Sequence, residues 1–337
     1  MKYSEEKKRA ITLYILEKIS AKAESLSSAV SDAFGISTNT VHTYLNQLIA
    51  DGIISKRKRG EYELVSKRNE FVFYRSKGEL ESDTHAYDLC LSERIDHLPE
   101  NIKHIWSYSM SEMVNNVIDH SAAESMRIIV EESYLDTSVF IIDDGVGIFE
   151  KIKSHFSLSN IDEAICELFK GKLTTDAENH SGEGIFFTSK MMDAFLISSG
   201  GKIFTTSKYN NDNVSDMSES VQGTCVFMSL SNFSLRTARE VFDLYSDVDG
   251  GFTTTRIPLK SIFDSAPVSR SQAKRVCNRL DSFEEVILDF DAISWMGQGF
   301  AHQTFVVYKN AHPSVTITPI NMNEDVRNMY NHVLKSL

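Results

Sequence analysis

The sequence predicts a chain of several domains that combines α/β and α+β architecture. Three observations carry that expectation. The first seventy residues place apolar side chains at helical spacing and finish in a short basic hairpin. A central stretch sets glycine-punctuated motifs among hydrophobic helix and strand segments. From residue 252 onward, strand-like and helix-like segments alternate.

Composition narrows the function classes. With 337 residues, 42% hydrophobic and 24% charged, the chain has the make-up of a globular protein with room for two or three cores. No segment approaches the roughly 18 consecutive apolar residues of a membrane span, so no membrane partner is expected. The start, MKYSEEKKRAI, is too charged to lead into a secretory segment. Cys90, Cys166, Cys225 and Cys277 are scattered without a C-x-x-C pair, which excludes a recognisable zinc or disulfide framework. Together these features point to a cytoplasmic chain with reduced thiols. Residues 1–70 hold twelve Lys/Arg against nine Asp/Glu, a net +3 that leaves −15 of the total −12 for the remainder. A mildly basic head on an acidic body argues against coating of nucleic acid by the whole molecule and leaves room for one local DNA-binding face.

In the head, Ala10, Ile11, Tyr14, Ile15 and Ile19 predict a helix over 5–19, and Leu26, Ala29, Val30, Ala33 and Phe34 a second over 26–34. Gly35 supplies a turn, Ser37 stands at an N-cap position, and a third helix over 38–50 buries Val41, Tyr44, Leu45, Leu48 and Ile49. Ile53-Ile54 and Tyr62–Leu64 read as strands around the basic turn Lys56, Arg57, Lys58, Arg59. This order resembles bacterial winged helix-turn-helix domains, with the domain expected over 1–68. The resemblance implies DNA as partner, with Thr38, Asn39, Thr40 and His42 toward the bases and Lys56 to Arg59 on phosphates. A docking module of the same fold is the alternative.

Three motifs follow in the centre. SEMVNNVIDHS (111–121) places Glu112 and Asn116 one helical turn apart on one face. An amide oxygen from Asn116 suits magnesium, a hard cation that takes oxygen ligands and keeps waters or phosphates on its other positions. A carboxylate one turn away, Glu112, suits activation of an attacking water or hydroxyl. FIIDDGVGI (140–148) ends a strand at Asp143, able to accept from an exocyclic amine and so to read adenine, and its Gly145 and Gly147 let backbone approach a flat base. HSGEGIFFTSK (180–190) sets Gly182 and Gly184 just before a helix, where backbone N–H groups and the helix dipole favour phosphate. Lys172 and Lys190 read equally as phosphate-neutralising cations or solvated lysines, and Lys190 is carried as a candidate. His120 and His180 read as local hydrogen-bonding or solvent-facing side chains.

Together these residues resemble the GHKL, or Bergerat-fold, ATPases and kinases, over about 70–232. Glu112 and Asn116 match the family's N box, Asp143, Gly145 and Gly147 its first glycine box, and Gly182 with Gly184 its second. Thr224, opening the strand GTCVFMSL, matches the threonine that assists the adenine-binding Asp. The resemblance implies a Bergerat α/β sandwich, ATP with Mg2+, and a mobile covering segment around 150–181 with its GKLTT turn, Gly171 to Thr175. No phosphoacceptor helix pair precedes the motifs, and the SxEMxNNxxxHS context is more similar to anti-sigma-factor kinases. Slow ATP hydrolysis coupled to rearrangement is the first expectation, protein serine/threonine kinase activity the second.

After a linker helix over 233–251 (Leu235, Ala238, Val241, Phe242), residues 252–337 read as β-α-β-α-β-α: TTTRIPL, a Ser269-capped helix over 269–283, EEVILDFDAISW, GQGFAHQTFVVYKN, SVTITPIN and a helix from Asn323 to Leu334. This run resembles a bacterial STAS-like domain of unknown function. Relatives of the anti-anti-sigma type present a phosphorylatable Ser at the helix start, where this chain has Gly297, Gln298 and Gly299, with Ser294 earlier. His302 and Gln303 stand where an acidic pair is expected, so a packing or oligomerising role is expected rather than catalysis, with a protein partner as a further expectation for this domain. The whole reads as an ATP-gated, DNA-binding regulator acting as a homodimer. The alternatives are the kinase and a nucleotide-gated interaction or phage-defence component.

Overall fold

The computed structural model of the protein describes residues 3–58, 60–173, 182–207, 210–216, 222–247, 251–263 and 266–335. Two compact units form, one of residues 1–70, 129–139 and 230–234, the other of 71–128, 140–229 and 235–337.

The first unit is built on three helices, α1 (Glu5–Ser20), α2 (Leu26–Phe34) and α3 (Thr38–Ala50), and a hairpin of β1 (Ile54–Lys58) and β2 (Glu61–Leu64). Local chemistry sets the boundaries. Ser4 accepts from the Lys7 N–H and places Glu5 and Glu6 at the positive end of the α1 dipole. Gly35, at φ 61°, ends α2, and the Ser37 hydroxyl accepts from the Thr40 N–H to start α3. Ile11, Ile15, Val30, Val41 and Leu45 are fully buried, each worth about 1.5–3 kcal/mol relative to exposure. Ala10, expected on this stripe, is exposed. The hairpin pairs Ile54 with Leu64 and bulges between Lys56 and Lys58.

The second unit carries most of a seven-stranded sheet: β3 (Lys67–Tyr74), β4 (Ser125–Glu132), β5 (Asp136–Asp143), β6 (Ala194–Ser199), β7 (Lys202–Ser207), β8 (Asn210–Asp216) and β9 (Thr224–Ser231), in the order β3-β4-β5-β9-β6-β7-β8. Strands β9, β6, β7 and β8 run antiparallel to their neighbours in that series. Among the helices that accompany this sheet are α4 (Glu100–Asn115), α5 (Ile148–His155), α6 (Ile161–Lys170) and α7 (Gly184–Met191). Strand alternation positions the site. In β5, Thr137, Val139, Ile141 and Asp143 share the buried face, and in β9 Thr224, Val226, Met228 and Leu230 do. Two polar side chains, Asp143 and Thr224, therefore sit at the ends of two rows of core residues.

Helix α8 (Ala238–Tyr245) starts at a capping box between Thr237 and Glu240. Leu235, expected on its apolar face, lies before that cap and is 92% exposed. The last layer is a parallel sheet, β10 (Thr254–Pro258), β11 (Glu285–Asp289) and β12 (Thr316–Ile320), paired in sequence order. It carries α9 (Arg270–Cys277), α10 (Gln298–His302, continued by a π turn to Tyr308) and α11 (Glu324–Leu334). The Ser269 cap forms with Gln272 as a full capping box, but α9 stops at Cys277 rather than reaching 283. Asn278 leaves helical geometry and Arg279 takes φ 57°, because both side chains turn to hydrogen-bond Glu167 of α6. The architecture is thus mixed α/β, with helices on several sheets. Among the described residues no helix is long and apolar enough to cross a membrane.

Candidate functional site

A cavity of ≈ 250 Å³ opens in the second unit. Helix α4 forms one side and passes at Asn116 into a π turn, Asn116–His120, the kind of widened turn often found at functional positions. Glu112 and Asn116 line the cavity, followed by Val117, His120 and Ser121.

Two glycines fix the direction of the cavity along this helix. A Cβ on Gly184 would fall on the Glu112 carboxylate, and a Cβ on Gly145 would fall on the Ser121 carbonyl. From Glu112 to Ser121 the axis advances about 13 Å at 1.5 Å per residue. One end of the site is therefore the start of α7, the other the turn after β5.

At the β5 end, Asp143 and Asp144 are adjacent yet differently employed. The exposed Asp144 ties down the β4 start, accepting from the Glu124 and Ser125 N–H groups, both at 2.9 Å, and from the Ser125 hydroxyl at 2.7 Å. Partial burial pushes its carboxyl up, but these hydrogen bonds outweigh it and hold the pKa below its usual value. Asp143 is buried and lines the cavity. Its Oδ1 accepts the Gly145 N–H at 2.8 Å. Burial raises its pKa, opposed by hydrogen bonds from Gly145 and from the backbone and hydroxyl of Thr224. The Thr224 hydroxyl also accepts the Ile148 N–H at 3.0 Å, joining β9 to the start of α5. Gly147, at φ 81°, faces Ser199 Oγ so closely that a Cβ would sit 2.7 Å from it. Gly223 (φ 78°) leaves no room for a Cβ against the Asp143 carbonyl.

At the other end, α7 begins at Gly184 with Glu183 in the cap position, and Glu183 makes no side-chain cap bond there. A glycine-opened helix start of this kind directs its first N–H groups outward, the arrangement that receives anions. Gly182 and Gly184 both line the cavity.

Of the expected nucleotide-site residues, Glu112, Asn116, Asp143, Gly147, Gly182, Gly184 and Thr224 line this one cavity. Gly145 lies behind it, against Ser121. Lys190 does not line it; it sits in the last turn of α7 with its ammonium 5.5 Å from the Phe186 ring centre. Sequence reasoning passed over Lys151, which lines the cavity and donates to the His120 carbonyl at 2.6 Å. Its signal was the i, i+4 step from Gly147 on a helix opened by the glycine box. His120, read as a local hydrogen-bonding or solvent-facing residue, also lines the cavity. Thr174, Thr175 and His180 lie outside the described residues, as does Arg59.

In the first unit, Thr38, Asn39 and His42 are exposed on α3, and Lys56, Arg57 and Lys58 on β1. Thr40 is half-buried, with its hydroxyl 2.9 Å from that of the capping Ser37. Arg57 pairs with Glu63 at 2.5 Å and Lys58 with Glu61 at 2.8 Å, so the hairpin is less basic than its sequence.

Comparison with known families agrees with this geometry. Residues 107–232, which include Glu112 through Thr224, match the histidine kinase-, DNA gyrase B- and HSP90-like ATPases. The chain therefore contains an ATP-binding domain of the GHKL ATPase or kinase type. Residues 272–327, which include β11 and β12, match a STAS-like domain of unknown function. No curated protein matches the chain.

Proposed function

We propose that this protein is an ATP-dependent regulator in which binding and slow hydrolysis of Mg–ATP govern the arrangement of a DNA-binding head (residues 1–68) and a STAS-like domain (252–337), joined through the 70–232 ATPase domain and a 233–251 linker. The observation that carries the hydrolytic reading is the Glu112 carboxylate packed against Gly184, at the helix start suited to phosphate. Asp143 supports purine recognition at the opposite end, since an ionised carboxylate accepts from an exocyclic amine.

The donor set fits magnesium. Asn116 lines the cavity that the α7 start also lines, and magnesium is held by one or two protein oxygens together with phosphates and water. Asn116 would hold it. When bound, the ion neutralises charge on the phosphate oxygens. Glu112 accepts the proton of a water whose oxygen bonds to the terminal phosphorus as the bridging P–O bond breaks and ADP leaves. The α7 N–H groups hold the phosphate end, and Asp143 with Thr224 fixes the base.

For the head, exposed Asn39 and His42 on α3, together with exposed Lys56 on β1, support DNA as partner, and a dimer would suit a palindromic site. The STAS-like domain is assigned a protein partner, and the whole a cytoplasmic setting. Incubation with γ-labelled ATP tests the reaction. Label released as free phosphate, abolished in Glu112→Gln, supports hydrolysis. Label on Ser or Thr of a protein, including the exposed Ser294, supports the kinase reading instead.

A further inference from the structure

Residues 167–173, at the end of α6, serve two neighbours. Leu168, Gly171 and Leu173 line the nucleotide cavity, while Glu167, Lys170 and Lys172 engage residues 252–283. The Lys170 side chain is fully buried. Its ammonium donates to Glu167 Oε1 at 2.7 Å, the Asn278 carbonyl at 2.7 Å and the Arg275 carbonyl at 3.1 Å, which uses all three of its protons. Glu167 accepts in turn from Asn278 Nδ2 at 3.0 Å and from the Arg279 guanidinium at 3.1 Å. Arg279 also donates to the Lys172 carbonyl at 2.6 Å, and the Thr255 hydroxyl to the Lys170 carbonyl at 2.7 Å.

This grip reaches the phosphate end. A Cβ on Gly171 would sit 2.7 Å from the Phe252 ring, and Phe252 packs at a tilt with its ring centre 4.7 Å from that of Phe186, which lines the cavity. The Leu173 N–H donates to the Gly182 carbonyl at 2.9 Å. Two residues later α7 begins at Gly184, beside Glu112. Buried charges are tolerated only when fully paired, so the Glu167–Lys170–Arg279 set holds the α6 end in one place only while the C-terminal layer is docked.

We infer that the STAS-like layer is a control element of the nucleotide site, with Glu167, Lys170 and Arg279 as positioning residues: docking of 252–283 on the α6 end and binding of phosphate at Gly182–Gly184 favour one another. The inference rests on the ATP-site reading. Linkage makes the effect reciprocal.

Calorimetry with ATP and with adenosine, alongside ligand-free thermal unfolding, tests it on the full chain. The proteins are wild type, Arg279→Ala, Arg279→Lys and the uncharged pair Glu167→Gln/Lys170→Met. Arg279→Ala and the uncharged pair should lose about tenfold in ATP affinity with adenosine affinity unchanged. Arg279→Lys should recover part, because it keeps the charge without the two-pronged donor. Equal losses for both ligands, or ATP losses that only follow a fall in the unfolding midpoint, would overturn the control role and leave a packing interface. Unchanged ATP affinity in the folded variants would overturn it while the ATP site stands. Absence of ATP binding by the wild type would remove the ATP site and the inference with it.

Discussion

Two aspartates side by side at the end of β5 show how surroundings divide labour between identical side chains. Asp144 is consumed by Glu124 and Ser125, whereas Asp143 is buried with its pKa raised above 3.8, burial being the largest cause. A carboxyl raised in the folded state adds stability below its unfolded pKa and loses that contribution as pH climbs through the folded value. Above the raised value the ligand-free protein carries an ionised, desolvated group, which an adenine amine would relieve on the proposed reading. Acidification through the raised pKa should weaken ATP binding, and Asp143→Asn should abolish that dependence. The same variant should lower ATP affinity by about 1.5–3 kcal/mol, the size of a hydrogen bond to a charged group, while removing the fall in the ligand-free melting midpoint as pH climbs through the raised value. Calorimetry across pH and thermal scans measure both. Glu112→Gln should leave ATP affinity near wild type and reduce hydrolysis by about 10²–10⁴-fold, read as phosphate release.

At the scale of elements, the segments with a strong local signal were legible in the sequence. Ser37 and Ser269 announced their helices because a cap is a short-range interaction. Asp143 was placed by ending a hydrophobic strand and Thr224 by the motif it matches, and strand alternation carries both to the face of their own core residues. What escaped depended on distant partners. The early end of α9 follows from Glu167, more than a hundred residues away in sequence. The tilt of Lys190 onto Phe186, and of Lys151 toward the His120 carbonyl, are tertiary outcomes that no periodicity encodes. Helix α3 makes a prediction of its own. Asn39→Ala or His42→Ala should weaken specific DNA binding by about 1–3 kcal/mol, and Lys56→Ala should lower the salt slope by about one unit without changing sequence preference. Thr40→Ala should act mainly on the cap, seen as a small stability loss. Fluorescence anisotropy over a salt series separates these effects.

For the whole molecule, nucleotide should act as a stabiliser by mass action. ATP with magnesium at 100 times its Kd adds about 2.7 kcal/mol, so the melting midpoint should climb with ATP concentration and fall back when a chelator removes the metal. Asn116→Ala should flatten that response. The fold class, and the meeting of Asp143 and Thr224 in one cavity, were readable from composition, spacing and motif order. The joint between the ATPase domain and the STAS-like layer was not, since a lysine in an amphipathic helix reads as solvated until its buried partners are in view.

That joint has a consequence for how such chains diversify. Because alternate residues of 167–173 answer to different neighbours, neither module can be traded for a foreign counterpart without retuning the other. Hybrids joined upstream of residue 252 should fold yet bind ATP poorly, unless the donor also supplies an arginine where Arg279 stands and a ring where Phe252 stands.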